Sequence, residues 1–375
     1  MPDDAYSSAE RPTASAASFL PFRFTGTGHD YFSIWIVNLL LSIITIGVWS
    51  AWAKVRRLRY FYGNTILHHH GLDYHATGWM ILKGRLIAVA VLIAYSMLEF
   101  IDPLAQGIAA LAAIPVLPWL IIRSLKFNAR MTSWRNVRFD FQGRYWPAFK
   151  AFIVMPVLGV VTLGLLMPLT FKSAALYLAR NFRFGQAEFQ ADARLGDYYV
   201  AVMKTSGVFI GALAILGATF GALTYALHGS FSLPAITLPP NHLNESSETD
   251  IQSITQFTLA ITIAIVLSFV IAKNFLSACN RNIIVNGLRL DDRHEFTSNL
   301  SGFRLAWIAL SNLIMKVLSL GLLTPWATIR TWRYQTHCLS VLAAGNVDDF
   351  VDTEQQSGSA FGSEFADLQD FDIGL

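Results

Sequence analysis

Long apolar runs alternate with short polar strips along this chain, and the runs dominate. Seven stand out, at about 31–49, 82–101, 104–122, 149–169, 206–227, 257–271 and 303–323. The second and third each have the ~20 residues that a spanning helix needs, and Asp102-Pro103 between them leaves room only for a tight helical hairpin. The first run is different. It breaks at Thr45-Ile46-Gly47 and passes into Trp52-Ala53-Lys54 and a basic, aromatic helix that ends at Tyr62.

That element returns twice. A shift of 117 residues lays Gly47, Tyr60 and Asn64 on Gly164, Tyr177 and Asn181, and a shift of 274 lays them on Gly321, Tyr334 and Cys338. Asn38 falls on Asn312, and Trp52 on Trp326. Alternating segments introduce the copies, Phe22-Arg23-Phe24 before the first and Phe139-Asp140-Phe141 before the second, which predicts short strands. Residues 64–75, with His68, His69 and His70 at the tip, predict a β-hairpin.

The division that follows is a leader at 1–21, a repeat unit at 22–130, a second at 131–285, a half-unit at 286–344 and an acidic tail at 345–375. Both ends are expected to be unstructured, the tail because it carries eight Asp or Glu and no base.

Composition makes this a membrane protein. With 54% hydrophobic and 14% charged residues, the chain is too apolar for an ordinary soluble domain. Cys279 and Cys338 supply no disulfide framework. No cleavable signal peptide precedes the first run.

Charge placement then chooses between topologies. No Lys or Arg lies between Leu86 and Ile122, or between Thr205 and Ala272, and the loop 230–256 is acidic. If all seven runs crossed, equivalent basic clusters would fall on opposite sides of the membrane. If the three broken elements enter and leave on one side, every Lys and Arg faces the cytoplasm. The expected fold is therefore an all-α polytopic membrane protein with short cytoplasmic β-hairpins and internal parallel repeats, two full units and a half. It has four spanning helices and three re-entrant or interfacial elements, with both termini cytoplasmic; the alternative is seven spanning helices.

The stretches GTGHDYFSIWIVNLLLSIITIGVWSAWAKVRRLRYFYGNT, GLDYH and ILKGRLIA resemble the YjgN-like family of bacterial inner-membrane proteins, a domain of unknown function. The resemblance covers about residues 22–341. It implies an inner-membrane protein and supplies no activity or site residue. The second copy departs from the pattern, with Leu169 at the place of Trp52 and Phe171 at that of Lys54.

Candidate sites follow from the copies. Gly47, Gly164 and Gly321, with Asn38 and Asn312, would line a pathway at the breaks. Arg56, Arg59, Arg330 and Arg333, with Trp52 and Trp326, would meet anionic headgroups, or would simply anchor the helices. His68, His69 and His70 are weak metal candidates, because neighbouring residues on a strand point to opposite faces.

No phosphate loop, zincin spacing or nucleophile elbow occurs, so neither an enzyme nor a cofactor is expected. The aromatic and basic residues sit at the ends of apolar runs, which speaks for lipid and against nucleic acid. Two functions remain. One is a transport or channel-like protein for a neutral or lipid-like substrate. The other is a scaffold that binds anionic phospholipid and recruits a protein partner through Phe350, Phe361, Phe365 and Phe371 of the tail.

Overall fold

The polar strips, rather than the apolar runs, hold the architecture together. The computed structural model describes residues 18–228 and 248–365. The leader before Ser18, most of the acidic loop and residues 366–375, with Phe371, lie outside the described residues.

The chain opens with β1 (Ser18–Pro21) and β2 (Arg23–Phe24) and then makes five helical excursions, each ending in a strand. The first passes through α1 (Gly28–Ile44) and α2 (Ser50–Gly63) to the hairpin of β3 (Thr65–Leu67) and β4 (His70–Tyr74). The second uses α3 (Gly78–Ile101), α4 (Pro103–Ala113) and α5 (Val116–Arg130), and ends in β5 (Thr132–Trp134) and β6 (Val137–Phe141). The third begins with α6 (Tyr145–Phe149), a π turn over Lys150–Val154 and α7 (Met155–Val161). It returns through α8 (Met167–Asn181) to β7 (Phe182–Phe184) and β8 (Ala187–Ala191). The fourth is α9 (Leu195–His228) and α10 (Glu248–Asn286), followed by β9 (Leu288–Leu290) and β10 (His294–Ser298). The last is α11 (Gly302–Leu318) and α12 (Thr324–His337), followed by β11 (Leu339–Ala343) and α13 (Val347–Phe365).

The strands are not separate hairpins on an all-α protein. They form one antiparallel sheet of eleven strands, in the order β1-β11-β10-β9-β8-β7-β6-β5-β4-β3-β2. Its two outer members, β1 and β2, are halves of one segment. Ser18 to Pro21 pair with Ala343 to Ser340, while Arg23 and Phe24 pair with Ile66 and Thr65. Between the halves, the Phe22 amide donates to the Leu339 carbonyl at 3.0 Å. One N-terminal segment thus joins both edges and curls the sheet into a barrel-like ring, which removes the exposed edges an open sheet would present. Each strand is only two to five residues long, and while neighbours such as β3 and β4 pair locally, the pairings that link one hairpin to the next join residues far apart in sequence, which local pattern alone could not reveal.

Alternation sorts the faces. Val137, Phe139, Phe184, Phe189, Leu290 and Phe296 turn inward to one apolar cluster. Outward residues form polar pairs, Arg183 with Glu188 and Arg289 with Glu295 at 3.2 Å, and outward Asp140 takes Arg130 from the end of α5 at 3.0 Å. An exterior of this kind belongs in water. Two further expectations are corrected. The tail from Gly345 is not unstructured at its start: α13 sets Val347, Phe350 and Val351 into the barrel cluster. Seven crossings do not stand either. Among the described residues three helices are long and apolar enough to cross a membrane: Gly78–Phe100, Leu195–Ala222 and Thr255–Asn286. The pair α4 and α5, bent by 48° at its break, makes a fourth if it counts as one span.

The sheet, α1 to α8 and α13 belong to one compact unit. Residues Arg194–Ile283 and Leu300–Tyr334, carrying α9, α11 and most of α10 and α12, form a second.

Candidate functional site

The expected break occurs three times with the same internal geometry. In the first copy the Gly47 amide donates to the Ser42 carbonyl at 2.7 Å, in the second Gly164 to Gly159 at 2.7 Å, and in the third Gly321 to Lys316 at 2.7 Å. This six-residue return is a Schellman-type helix end, which needs a left-handed residue. That position falls on the residue before each glycine, and the glycines that follow are left-handed too, at φ +87°, +90° and +89°. A hydroxyl sets up each turn. The Thr45 Oγ1 donates to the Leu41 carbonyl at 2.7 Å and accepts the Trp49 amide at 2.9 Å. Thr162 and Ser319 make the same two bonds in their copies.

The residue before each glycine is also left-handed: Ile46, Leu163 and Leu320 at φ 50°, 51° and 50°. Large aliphatic side chains seldom adopt that conformation. These three are the most solvent-open large apolar residues described, at 95%, 97% and 94% exposure.

The two legs of each element fold back on one another. The Tyr60 hydroxyl, at the far end of α2, accepts the Thr27 amide and donates to the Thr27 carbonyl, both at 2.8 Å, so that the start of α1 meets the end of α2. Tyr334 makes the same clamp on Ser301, and Tyr177 donates to the Arg144 carbonyl at 3.2 Å. Gly26 and Gly143 are required beside these clamps, because an added Cβ would lie 2.9 Å from the Tyr60 hydroxyl and 2.2 Å from that of Tyr177.

Asn38 and Asn312 are buried between legs rather than facing an opening. The Asn38 Oδ1 accepts from the Trp49 indole at 3.2 Å, and the Asn312 Nδ2 donates to the Ala327 carbonyl at 2.9 Å and the Thr331 hydroxyl at 3.0 Å. They pin the hairpins closed.

The residues expected at headgroups divide. Arg59 donates to the carbonyls of Tyr74 and Ala76 at 3.1 and 3.0 Å, and Arg330 donates to the Ser311 hydroxyl at 2.7 Å, so both serve the fold. Arg56 lies over the Trp49 ring at 5.3 Å. Trp52 stacks on Trp49 and packs over Gly78, while Trp326 stays more than a third exposed.

His68 and His69 are the left-handed turn of the β3–β4 hairpin, at φ 46° and 66°. The His70 Nδ1 lies 2.9 Å from the His68 carbonyl. Among the described residues no three His, Cys, Asp or Glu side chains converge as a metal set.

Sequence reading missed the docking of α13. Arg135 of the β5–β6 turn holds Asp348, and His68 Nδ1 lies 4.0 Å from the same carboxylate. Glu354 accepts the Gln186 amide at 2.6 Å, and Gln355 donates to the Arg135 carbonyl at 2.6 Å. The signal was present in Val347, Phe350 and Val351, spaced as one face of a helix.

Apolar helices returning to a polar-faced sheet, with aliphatic residues exposed at every break, define an integral membrane protein. The chain belongs to the family described as bacterial protein of unknown function (DUF898), which matches residues 19–368. It is 24% identical to the inner membrane protein YjgN of Salmonella typhimurium (strain LT2), over 89% of this chain and 90% of that one. It is 22% identical to the inner membrane protein YjgN of Escherichia coli O157:H7, over 91% of this chain and 93% of that one. No solved structure matches it.

Proposed function

We propose that the chain is a multi-pass inner-membrane protein that moves a neutral or lipid-like substrate, without catalysis, along helical hairpins that re-enter the membrane from the cytoplasmic side. The observation that carries this reading is the trio Ile46, Leu163 and Leu320, almost fully exposed at left-handed turns. In water each would forgo roughly 2 kcal/mol of burial; in a bilayer each is satisfied. Helix α1, with 17 residues, reaches ~25 Å, enough to pass the middle of a hydrocarbon layer ~30 Å thick.

The legs differ in polarity. Helix α1 is apolar, whereas α2 carries Lys54, Arg56, Arg57 and Arg59, and α12 carries Arg330 and Arg333. Polar surface at membrane depth is tolerated where it lines protein or water, and on each of these legs it would face water and meet anionic headgroups at the membrane surface. The three hairpins are then parallel internal repeats. Because each excursion begins and ends in a strand with a charged outer face, sheet and termini belong in the cytoplasm.

The alternative, a scaffold that recruits a partner through its acidic tail, is weakened by α13. Phe350, Asp348 and Glu354 are held by the chain's own sheet.

Two measurements test the proposal. Liposomes holding the folded full-length chain should exchange fluorescent lipid between leaflets, or pass a neutral solute, faster than empty liposomes. No flux of either kind would refute transport. With Cys279 and Cys338 replaced by Ser, single cysteines at Arg57 and at Asn244, the latter outside the described residues, report topology. Labelling from outside intact cells should reach Asn244→Cys and spare Arg57→Cys; labelling of Arg57→Cys would remove the re-entrant arrangement.

A further inference from the structure

A cavity of about 480 Å³ opens where α2 meets α3 and α5. Its volume lies within the roughly 300–1,000 Å³ usual for ligand sites. Two cations line it, Lys54 from α2 and Arg85 from α3, and Ser124 and Asn128 from α5 add polar groups. The rest of the wall is apolar, including Ile81, Leu120, Ile121 and Leu125, and no carboxylate lines it.

Arg85 is held in place by a hydrogen bond to Ser50, the first residue of α2 after the break. The Lys54 ammonium lies within electrostatic range of both Arg85 and Arg57. Like charges that line one recess repel each other. An anion between them removes that cost.

We infer that this cavity binds one anionic phospholipid, its phosphate between Lys54 and Arg85 and the start of an acyl chain along Ile81, Leu120 and Ile121. Two features of the cavity favour an amphiphile over a free anion. The wall beyond the cations is apolar, so inorganic phosphate would leave most of it unfilled. One side of the cavity is α3, a helix long and apolar enough to cross the membrane, which places it beside bilayer lipid. The site is separate from the arginines expected at headgroups, and it stands whether or not the chain moves a substrate. Lys54 has no counterpart in the other copies, where Phe171 and Thr328 occupy its place, so the site is peculiar to the first hairpin.

The test is native mass spectrometry of the full-length chain, exchanged into detergent with equal amounts of phosphatidylglycerol and phosphatidylcholine. The expected result is one phosphatidylglycerol retained over phosphatidylcholine by at least ~tenfold, and its loss in Lys54→Gln/Arg85→Gln. Lys54→Arg should keep it. Ala88→Trp, on the apolar wall, should block the lipid while both cations remain. Equal retention of the two lipids, or unchanged phosphatidylglycerol in the double variant, overturns the site. Displacement of the lipid by millimolar inorganic phosphate would also overturn it, by making phosphate alone the ligand. Should the loss of the Arg85–Ser50 bond unfold the double variant, Lys54→Gln and Ala88→Trp decide the matter on their own.

Discussion

Ile46 is a β-branched residue in a left-handed turn, the conformation it tolerates least, and its side chain touches almost nothing. Leu163 and Leu320 repeat the anomaly. A soluble protein would place Asn or Gly there, so the side chain must be wanted outside the fold. The Ile46→Gly variant should therefore raise the thermal stability of the protein in detergent, by an amount corresponding to about 1 kcal/mol, and lower its activity or its insertion in bilayers. If stability falls, the strain reading fails. Gly47→Ala should act in the opposite sense, costing about 1 kcal/mol at φ +87° although no neighbour lies within 4 Å of the new methyl group. This turn was legible in the sequence because one chemistry, a hydroxyl two residues before a glycine, recurs at three places. The left-handed Ile and Leu between them were not, since nothing local marks a residue chosen for what lies beyond the chain.

At the scale of elements, α13 shows how a local reading goes astray. Its composition is acidic, which argues for an unstructured tail, yet three apolar residues on one face find a cluster already built by the barrel. The acids are not idle. Arg135, hydrogen-bonded to Asp348, holds that carboxyl below the usual carboxylate range, with smaller help from His68 and His70. The His294 ring, buried against Phe350 at 4.6 Å between ring centres, is pushed below its ordinary value near 6.5, first by burial and then by Arg293, while Asp291 opposes the shift. Both depressed values have the same consequence for docking. Each group contributes stability above its ordinary value and loses it as the pH falls through its folded value. Acidification below about 6.5 should thus begin to release α13 as His294 charges, and release should be completed below the ordinary 3.8 of Asp348. Hydrogen exchange of residues 347–356, followed from about pH 7.5 to about pH 2, measures it. His294→Phe should abolish the first step and leave the second. A single step at the carboxylate range in the unaltered chain would exclude any part for His294.

At the scale of the molecule, the short strands were readable one by one, and the ring they form was not. Strand pairing joins residues such as Leu20 and Val341, which no window along the chain contains together. Alternation at Phe22-Arg23-Phe24 announced half of the joining segment, while Ser18 to Pro21 carry no pattern of their own and become a strand only against β11. Closure explains why helical excursions can be strung on so slight a sheet. An open sheet of two- to five-residue strands would fray, whereas a ring leaves no terminal strand from which fraying can start. Removing residues 18–24 should therefore cost far more than the loss of six strand pairs. It would expose the edges of β3 and β11 together and take Leu20 away from the apolar cluster it packs against. The expected result is a chain that still inserts through its apolar helices but loses protease resistance across the barrel turns near Arg135 and Gln186, and associates through its freed edges. If the truncated chain keeps its turns protected and stays dispersed, the sheet does not depend on closure, and the nine other strands suffice to hold it.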